Sequence, residues 1–369
     1  MCENTGKYDC SRVHYNRALA QGEAGRPRDE LADYDRALAR DPDFFEAHFN
    51  RGLVLVQLDR PAEAAEAFAR AAALRPGDAE THYDLGACRA LAGDLTGALA
   101  AYDRALALQP DHAAAHYNRA GVLARLGRRA EALEEYDADL ELEPGDAGAH
   151  FQRGSLLRAE GRRQEAAEAL ARAAEIAPEM AVAHAGRSAL LQELGRPDEA
   201  LDTLDRALAL EDGRASWHFQ RGVLLASLGR AGELGAYERA LELDTELSGA
   251  HTNRAAALVH AGRCEEALEA CERALSLDPR AARAHYNRGL ALESLGRDAE
   301  ALDAYERALA LQPSGDEAAA VHNNLGAVLF RIGDPLGALG HFDRALELRP
   351  GYALALENLA ALEEELAGV

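Results

Sequence analysis

Along Ala301-Leu-Asp-Ala-Tyr-Glu-Arg-Ala-Leu309, small or apolar residues fall at Ala301, Leu302, Tyr305, Ala308 and Leu309. These spacings follow the 3.6-residue turn of an α-helix, so the stretch reads as an amphipathic helix. A shorter stripe stands before each such stretch. His116, Ala120 and Leu123 share one helical face, and Gly127 then stops the helix. Pro144 ends the second helix of the same segment and resets the chain direction. Stripe, glycine, stripe and proline together predict a helical hairpin.

The hairpin recurs. With the closing proline set as position 32 of a 34-residue unit, the units start at Ser11, Phe45, Ala79, Ala113, Ala147, Ala181, Ala215, Ser248, Ala282 and Ala319. A hairpin of this size cannot bury its apolar face alone, and stacking on its neighbours supplies the core. The pattern predicts an all-α solenoid of about ten helix-turn-helix repeats over 11–352. A capping helix is expected over 353–369, ending near the acidic Glu363-Glu364-Glu365, and an irregular tail over 1–10. Two irregularities interrupt the register. The seventh repeat is one residue short and drops the small residue at position 20, and the ninth carries about three extra residues within 314–320.

Composition narrows the function. The net charge is −23, which disfavours nucleic acid and anionic membranes as partners. No apolar run approaches the length of a transmembrane helix, and the first twenty residues lack a signal-peptide pattern. Five cysteines (Cys2, Cys10, Cys88, Cys264, Cys271) form no paired framework, which fits a reducing cytoplasm. There is no GxSxG, phosphate loop, HExxH or CxxC pair. Polar residues recur at the repeat period and do not converge, so neither an enzyme nor a cofactor is expected. Position 4 is His in all ten repeats, from His14 to His322. Metal ligands must converge within a few ångströms, whereas equivalent helices stand about 8–10 Å apart, so these histidines read as structural and no metal is expected. Partial burial would depress their pKa values and make the protein acid-sensitive.

The pattern resembles the tetratricopeptide repeat family over nearly all of residues 11–366. The ninth repeat carries that signature at His285, Gly289, Gly296, Ala301, Tyr305, Ala308 and Pro313. Two features depart from it: His at position 4 in place of a bulky aromatic, and Arg at position 7 in eight repeats in place of an aliphatic residue. The resemblance implies a right-handed superhelix whose first helices line a concave groove for extended peptides.

Positions 2, 5, 6, 9 and 13 share the first-helix face opposite the 4/8/11 stripe. Position 6 carries Asn16, Asn50, Asn118, Asn253, Asn287, Asn324 and Asn358. A carboxamide donates and accepts, so spaced Asn residues can bracket the peptide groups of a bound strand. The resemblance points the same way, since the repeat region of protein O-GlcNAc transferases uses such a ladder. Here it breaks at Asp84, Gln152, Gly186 and Gln220. Position 5 carries Tyr15, Phe49, Tyr83, Tyr117, Phe151, Phe219 and Tyr286, which suit apolar anchors on a groove wall or packing between repeats. Arg at position 7 and an acid at position 25 in eight repeats suggest a recurrent inter-helix ion pair. Position 5 is never Lys, which argues against the family's carboxylate clamp, and the acidic chain argues against its RNA-binding relatives.

The reading is a non-catalytic protein-interaction scaffold that holds an extended peptide or helix of a partner protein. The alternatives are a substrate-recruiting subunit of a separate modifying enzyme such as a glycosyltransferase, or a self-associating rod.

Overall fold

The structure, a computed structural model, describes residues 7–367. The chain divides into two compact units, one ending at Gly186 and one beginning at Arg187. In the first lie α1 (Lys7–Glu23), α2 (Pro27–Arg40), α3 (Phe45–Gln57), α4 (Pro61–Leu74), α5 (Ala79–Leu91), α6 (Leu95–Leu108), α7 (Ala113–Arg125), α8 (Arg129–Leu142), α9 (Ala147–Ala159) and α10 (Arg163–Ile176). The boundary falls within α11 (Ala181–Glu193). The second unit holds α12 (Pro197–Leu210), α13 (Ala215–Ser227), α14 (Glu233–Leu243), α15 (Ser248–His260), α16 (Cys264–Leu277) and α17 (Ala282–Ser294). It ends with α18 (Asp298–Ala310), α19 (Gly315–Arg331), α20 (Pro335–Leu348) and α21 (Ala353–Ala367). No strand occurs among the described residues. Each unit is a stack of helical hairpins.

Three elements differ from the expected register. Helix α1 begins at Lys7, so residues 7–10, expected to be irregular, are helical, and residues 1–6 lie outside the described residues. The extra residues of the ninth repeat fold as an added turn at the start of α19, with Asp316 and Glu317 in that first turn favoured by the helix dipole. The missing residue of the seventh repeat shortens α14 to 11 residues behind Gly232, whose φ of 107° is left-handed.

Within a hairpin the two helices touch at position 8. A Cβ built on Gly289 would run into the Tyr305 ring, so only glycine lets α17 sit this close to α18. Tyr305 is in turn fully buried, and the Ala residues at positions 20 and 27, Ala301 and Ala308, are fully buried beside it.

The position-4 histidines share a task that explains why an aromatic ring alone would not serve. Nε2 of His48, His82, His116, His150 and His184 lies 2.8–3.2 Å from the carbonyl of the proline six residues earlier. His218, His251 and His285 make the same bond at 3.0–3.3 Å to Asp212, Thr245 and Pro279. A carbonyl can only accept, so Nε2 carries the hydrogen and pins the preceding turn to the helix.

The ion pairs span two repeats. Arg51 meets Asp35, Arg119 meets Asp103, Arg153 meets Asp137 and Arg221 meets Asp205, at 2.6–2.8 Å. Each joins the first helix of one repeat to the second helix of the repeat before it. Arg17, with no earlier repeat, turns to the buried Asp33 of its own hairpin.

Candidate functional site

Positions 5, 6, 9 and 13 of successive first helices line clefts within each unit. In the first unit a cleft of about 560 Å³ is walled by Leu91, Tyr117, Asn118, Gly121, Arg125 and Gln152, with Tyr102 and Tyr136 also lining it. In the second, a cleft of about 600 Å³ holds Tyr237, Asn253, Ala256 and His260. Another of about 370 Å³ holds Tyr286, Asn287, Leu290 and Val321.

The aromatic residues at position 5 are held from below by position 24 of their own hairpin. Ring centroids are 5.5–6.1 Å apart for Tyr15–Tyr34, Phe49–Phe68, Tyr83–Tyr102, Tyr117–Tyr136, Phe219–Tyr237 and Tyr286–Tyr305. Phe151 packs partly buried against the Ala173, Ala174 and Ala183 cluster. These rings are half-buried, so one side packs and the other remains accessible.

The Asn ladder has an intramolecular use that the sequence pattern alone did not display. Asn50 donates a carboxamide N–H to the Tyr15 hydroxyl at 3.0 Å, Asn118 to Tyr83 at 3.0 Å and Asn324 to Tyr286 at 3.2 Å. Gln152 occupies the same place relative to Tyr117 and lines the same cleft. Each bond links position 6 of one repeat to position 5 of the repeat before. Where the earlier repeat offers Phe, the pattern changes: Asp84 follows Phe49 and Gly186 follows Phe151. Asn253 follows Phe219 and lines a cleft with Tyr237 instead. Asn287, itself buried, donates to the Thr252 carbonyl at 2.9 Å, and Asn358 donates to Asn323 at 2.9 Å. Asn16, in the first hairpin, is exposed.

This geometry sets the chemistry of the face. Burial raises the phenol pKa values of Tyr15, Tyr83 and Tyr117 and pushes Tyr286 up to about 12, so the hydroxyls stay protonated. A hydroxyl that accepts from Asn keeps its own O–H as a donor, and the carboxamide keeps its oxygen as an acceptor. Asp84 is the acidic break. Burial, with Glu80 and Asp78 nearby, lifts its carboxyl to about 7.

Some residues of these clefts fall outside the sequence-based selection. Leu91, Arg125 and His260 occupy position 13, and Ala256 and Leu290 position 9, on the face already singled out. Tyr237 lies at position 24, assigned to the core by pattern. Tyr102 and Tyr136, at the same position of intact repeats, line the first-unit cleft in the same way.

Stacked hairpins with glycine or a small residue at the helix crossing and groove-lining first helices define a helical-repeat scaffold. Tetratricopeptide repeat profiles match residues 15–79, 126–181, 189–251, 252–316 and 300–353, with further matches at 89–127 and 157–219. The chain belongs to the tetratricopeptide repeat family, a family of protein-interaction scaffolds. No curated protein matches the sequence significantly. Among solved structures, it is similar to YrrB, described as a tetratricopeptide repeat protein with an unusual peptide-binding site. That match has 24% identity and a TM-score of 0.47, and covers 50% of this chain and 96% of that one. A MamA fragment from Desulfovibrio magneticus RS-1 matches at 26% identity and a TM-score of 0.42, covering 47% and 97%. The Cut9–Hcn1 assembly matches at 17% identity and a TM-score of 0.49, covering 95% and 76%.

Proposed function

We propose that the protein is a non-catalytic adaptor that holds an extended peptide segment or a helix of a partner protein against its first helices. The observation that carries this reading is the row of clefts lined by positions 5, 6, 9 and 13. Half-buried rings supply apolar contact, and the tyrosine O–H and carboxamide oxygens left over from the Asn–Tyr bonds supply a donor and an acceptor for peptide groups. Neither nucleic acid nor an anionic membrane suits a net charge of −23. No helix among the described residues is long and apolar enough to cross a membrane. Buried thiols outside any disulfide at Cys10, Cys88, Cys264 and Cys271 suit a reducing, cytoplasmic setting.

The test is to pan a displayed library of random twelve-residue peptides on the full chain. Gly121→Tyr and Ala256→Tyr then fill the clefts, a Cβ on Gly121 meeting the Tyr136 hydroxyl at an ordinary contact distance of 3.8 Å. Selected peptides should bind these variants at least tenfold more weakly. Undiminished binding to both would remove the groove from the account.

A further inference from the structure

The one-residue deletion in the seventh repeat rearranges charge as well as backbone. In six repeats an Arg at position 16 stands at the N-cap position of the second helix and grips a Glu at position 19, the third residue of that helix. The pairs are Arg60–Glu63, Arg128–Glu131, Arg162–Glu165, Arg196–Glu199, Arg263–Glu266 and Arg297–Glu300, at 2.5–2.6 Å. The seventh repeat has the same two residue types, Arg230 and Glu233. Loss of position 20 makes Glu233 the first residue of α14, behind the left-handed Gly232, and the pair does not form. Arg230 turns instead to Asp198 of the preceding repeat at 2.5 Å.

Glu233 is left on the wall of the 600 Å³ cleft. The other formal charges there are accounted for: Arg230 by Asp198, and Arg283 by Glu317 at 3.8 Å. His260 stands at the exposed rim. Val223, Ala226 and Ala256 make an apolar wall, and the buried Tyr237 lies behind it beside Asn253. An apolar wall beside a carboxylate that makes no ion pair matches a long aliphatic stem ending in a cation.

We propose that this cleft receives a lysine or arginine side chain of the bound segment, with Glu233 as its counter-ion. The inference rests on the groove reading above and adds the chemistry of one subsite to it. The deletion thereby turns a structural ion pair into a recognition carboxylate.

The probe is the same displayed random peptide library, panned separately on four full-length proteins. These are the natural chain, Glu233→Gln, a variant with one alanine inserted after Glu233, and Glu364→Gln as a charge-matched control on exposed α21. The insertion restores position 20 and with it the Arg230–Glu233 pair, closing the subsite. Peptides selected on the natural chain should carry a Lys or Arg at a fixed place. Their affinity should fall at least tenfold on Glu233→Gln and on the insertion variant, and remain within twofold on Glu364→Gln. If the insertion variant fails to fold by circular dichroism, the Glu233→Gln comparison decides. Equal losses on Glu233→Gln and Glu364→Gln, or no loss on Glu233→Gln, would overturn the subsite. If Ala256→Tyr still abolishes binding of those peptides, the groove stands without it. No enriched peptide on the natural chain would overturn both.

Discussion

Asn118 donates its carboxamide N–H to the Tyr83 hydroxyl at 3.0 Å, across 35 residues of sequence. The two side chains belong to successive repeats, and the bond ties one first helix to the next on the face proposed for a partner. The ladder therefore holds neighbouring repeats in register as well as presenting polar atoms.

That double use predicts coupling. Tyr83→Phe and Asn118→Ala should each destabilise by about 1 kcal/mol, and the double variant by about 1 kcal/mol less than their sum. Urea denaturation followed by circular dichroism measures this. Strictly additive losses would show that the bond contributes nothing to stability.

Asp139 stands where the other nine repeats place Ala, is 1% exposed, and has an Oδ2 with no hydrogen-bond partner. Burial, reinforced by Asp146 and Glu143, lifts its pKa to about 6 from an ordinary 3.8. The folded state thus binds the proton more tightly, so folding is favoured below about pH 4 and that advantage is lost as pH rises through 6. Asp139→Ala should stabilise by about 2 kcal/mol at pH 8 and by little at pH 4. A gain that does not change with pH would contradict this.

His322 and His341 face each other Nδ1 to Nδ1 at 2.9 Å. Burial first, then His341 and Arg344, draws the His322 pKa down to about 4, and burial lowers His341 as well. One neutral ring can donate to the other, but two imidazolium rings would set two donors against each other. Here the sign is opposite to that of Asp139. Stability is fully present above the unfolded pKa of 6.5 and is lost as pH falls toward 4. Replacing His341 with Ala, the residue at this place in the second, third, fifth, seventh, eighth and ninth repeats, should flatten the fall in melting temperature between pH 7 and pH 4. Some acid dependence should persist through His48 and His251, also depressed by burial. An unchanged profile would exonerate the pair.

Gly289→Val should destabilise by about 2–3 kcal/mol, because the added methyls meet the buried Tyr305 ring with no room to relax. Thermal unfolding reads this directly. A loss below 0.5 kcal/mol would mean that α17 and α18 can separate at little cost.

Much of the hairpin architecture was legible before any coordinates. Gly127 as a helix stop, Pro144 as a direction change and Ala301, Tyr305 and Ala308 as a core stripe are local statements, and local spacing is what a helical repeat encodes. The site was less legible. Tyr83 and Asn118 could be assigned to one face by counting, but their partnership spans two repeats and depends on how neighbouring first helices stack. Arg51 likewise pairs with Asp35 of the previous repeat, a choice that stacking makes and helical periodicity does not.

By itself, then, the sequence determined the all-helical hairpin architecture and the family, and singled out the face proposed for a partner, because each follows from residue spacing within one hairpin. Only the tertiary structure decided which polar groups on that face bond one another and which remain for a partner. It showed Asn118 held by Tyr83, and Glu233 released when a single missing residue carried it out of reach of Arg230. Hydrogen bonds and ion pairs act over about 3 Å, and that proximity is set by packing between repeats, which no count along the chain contains.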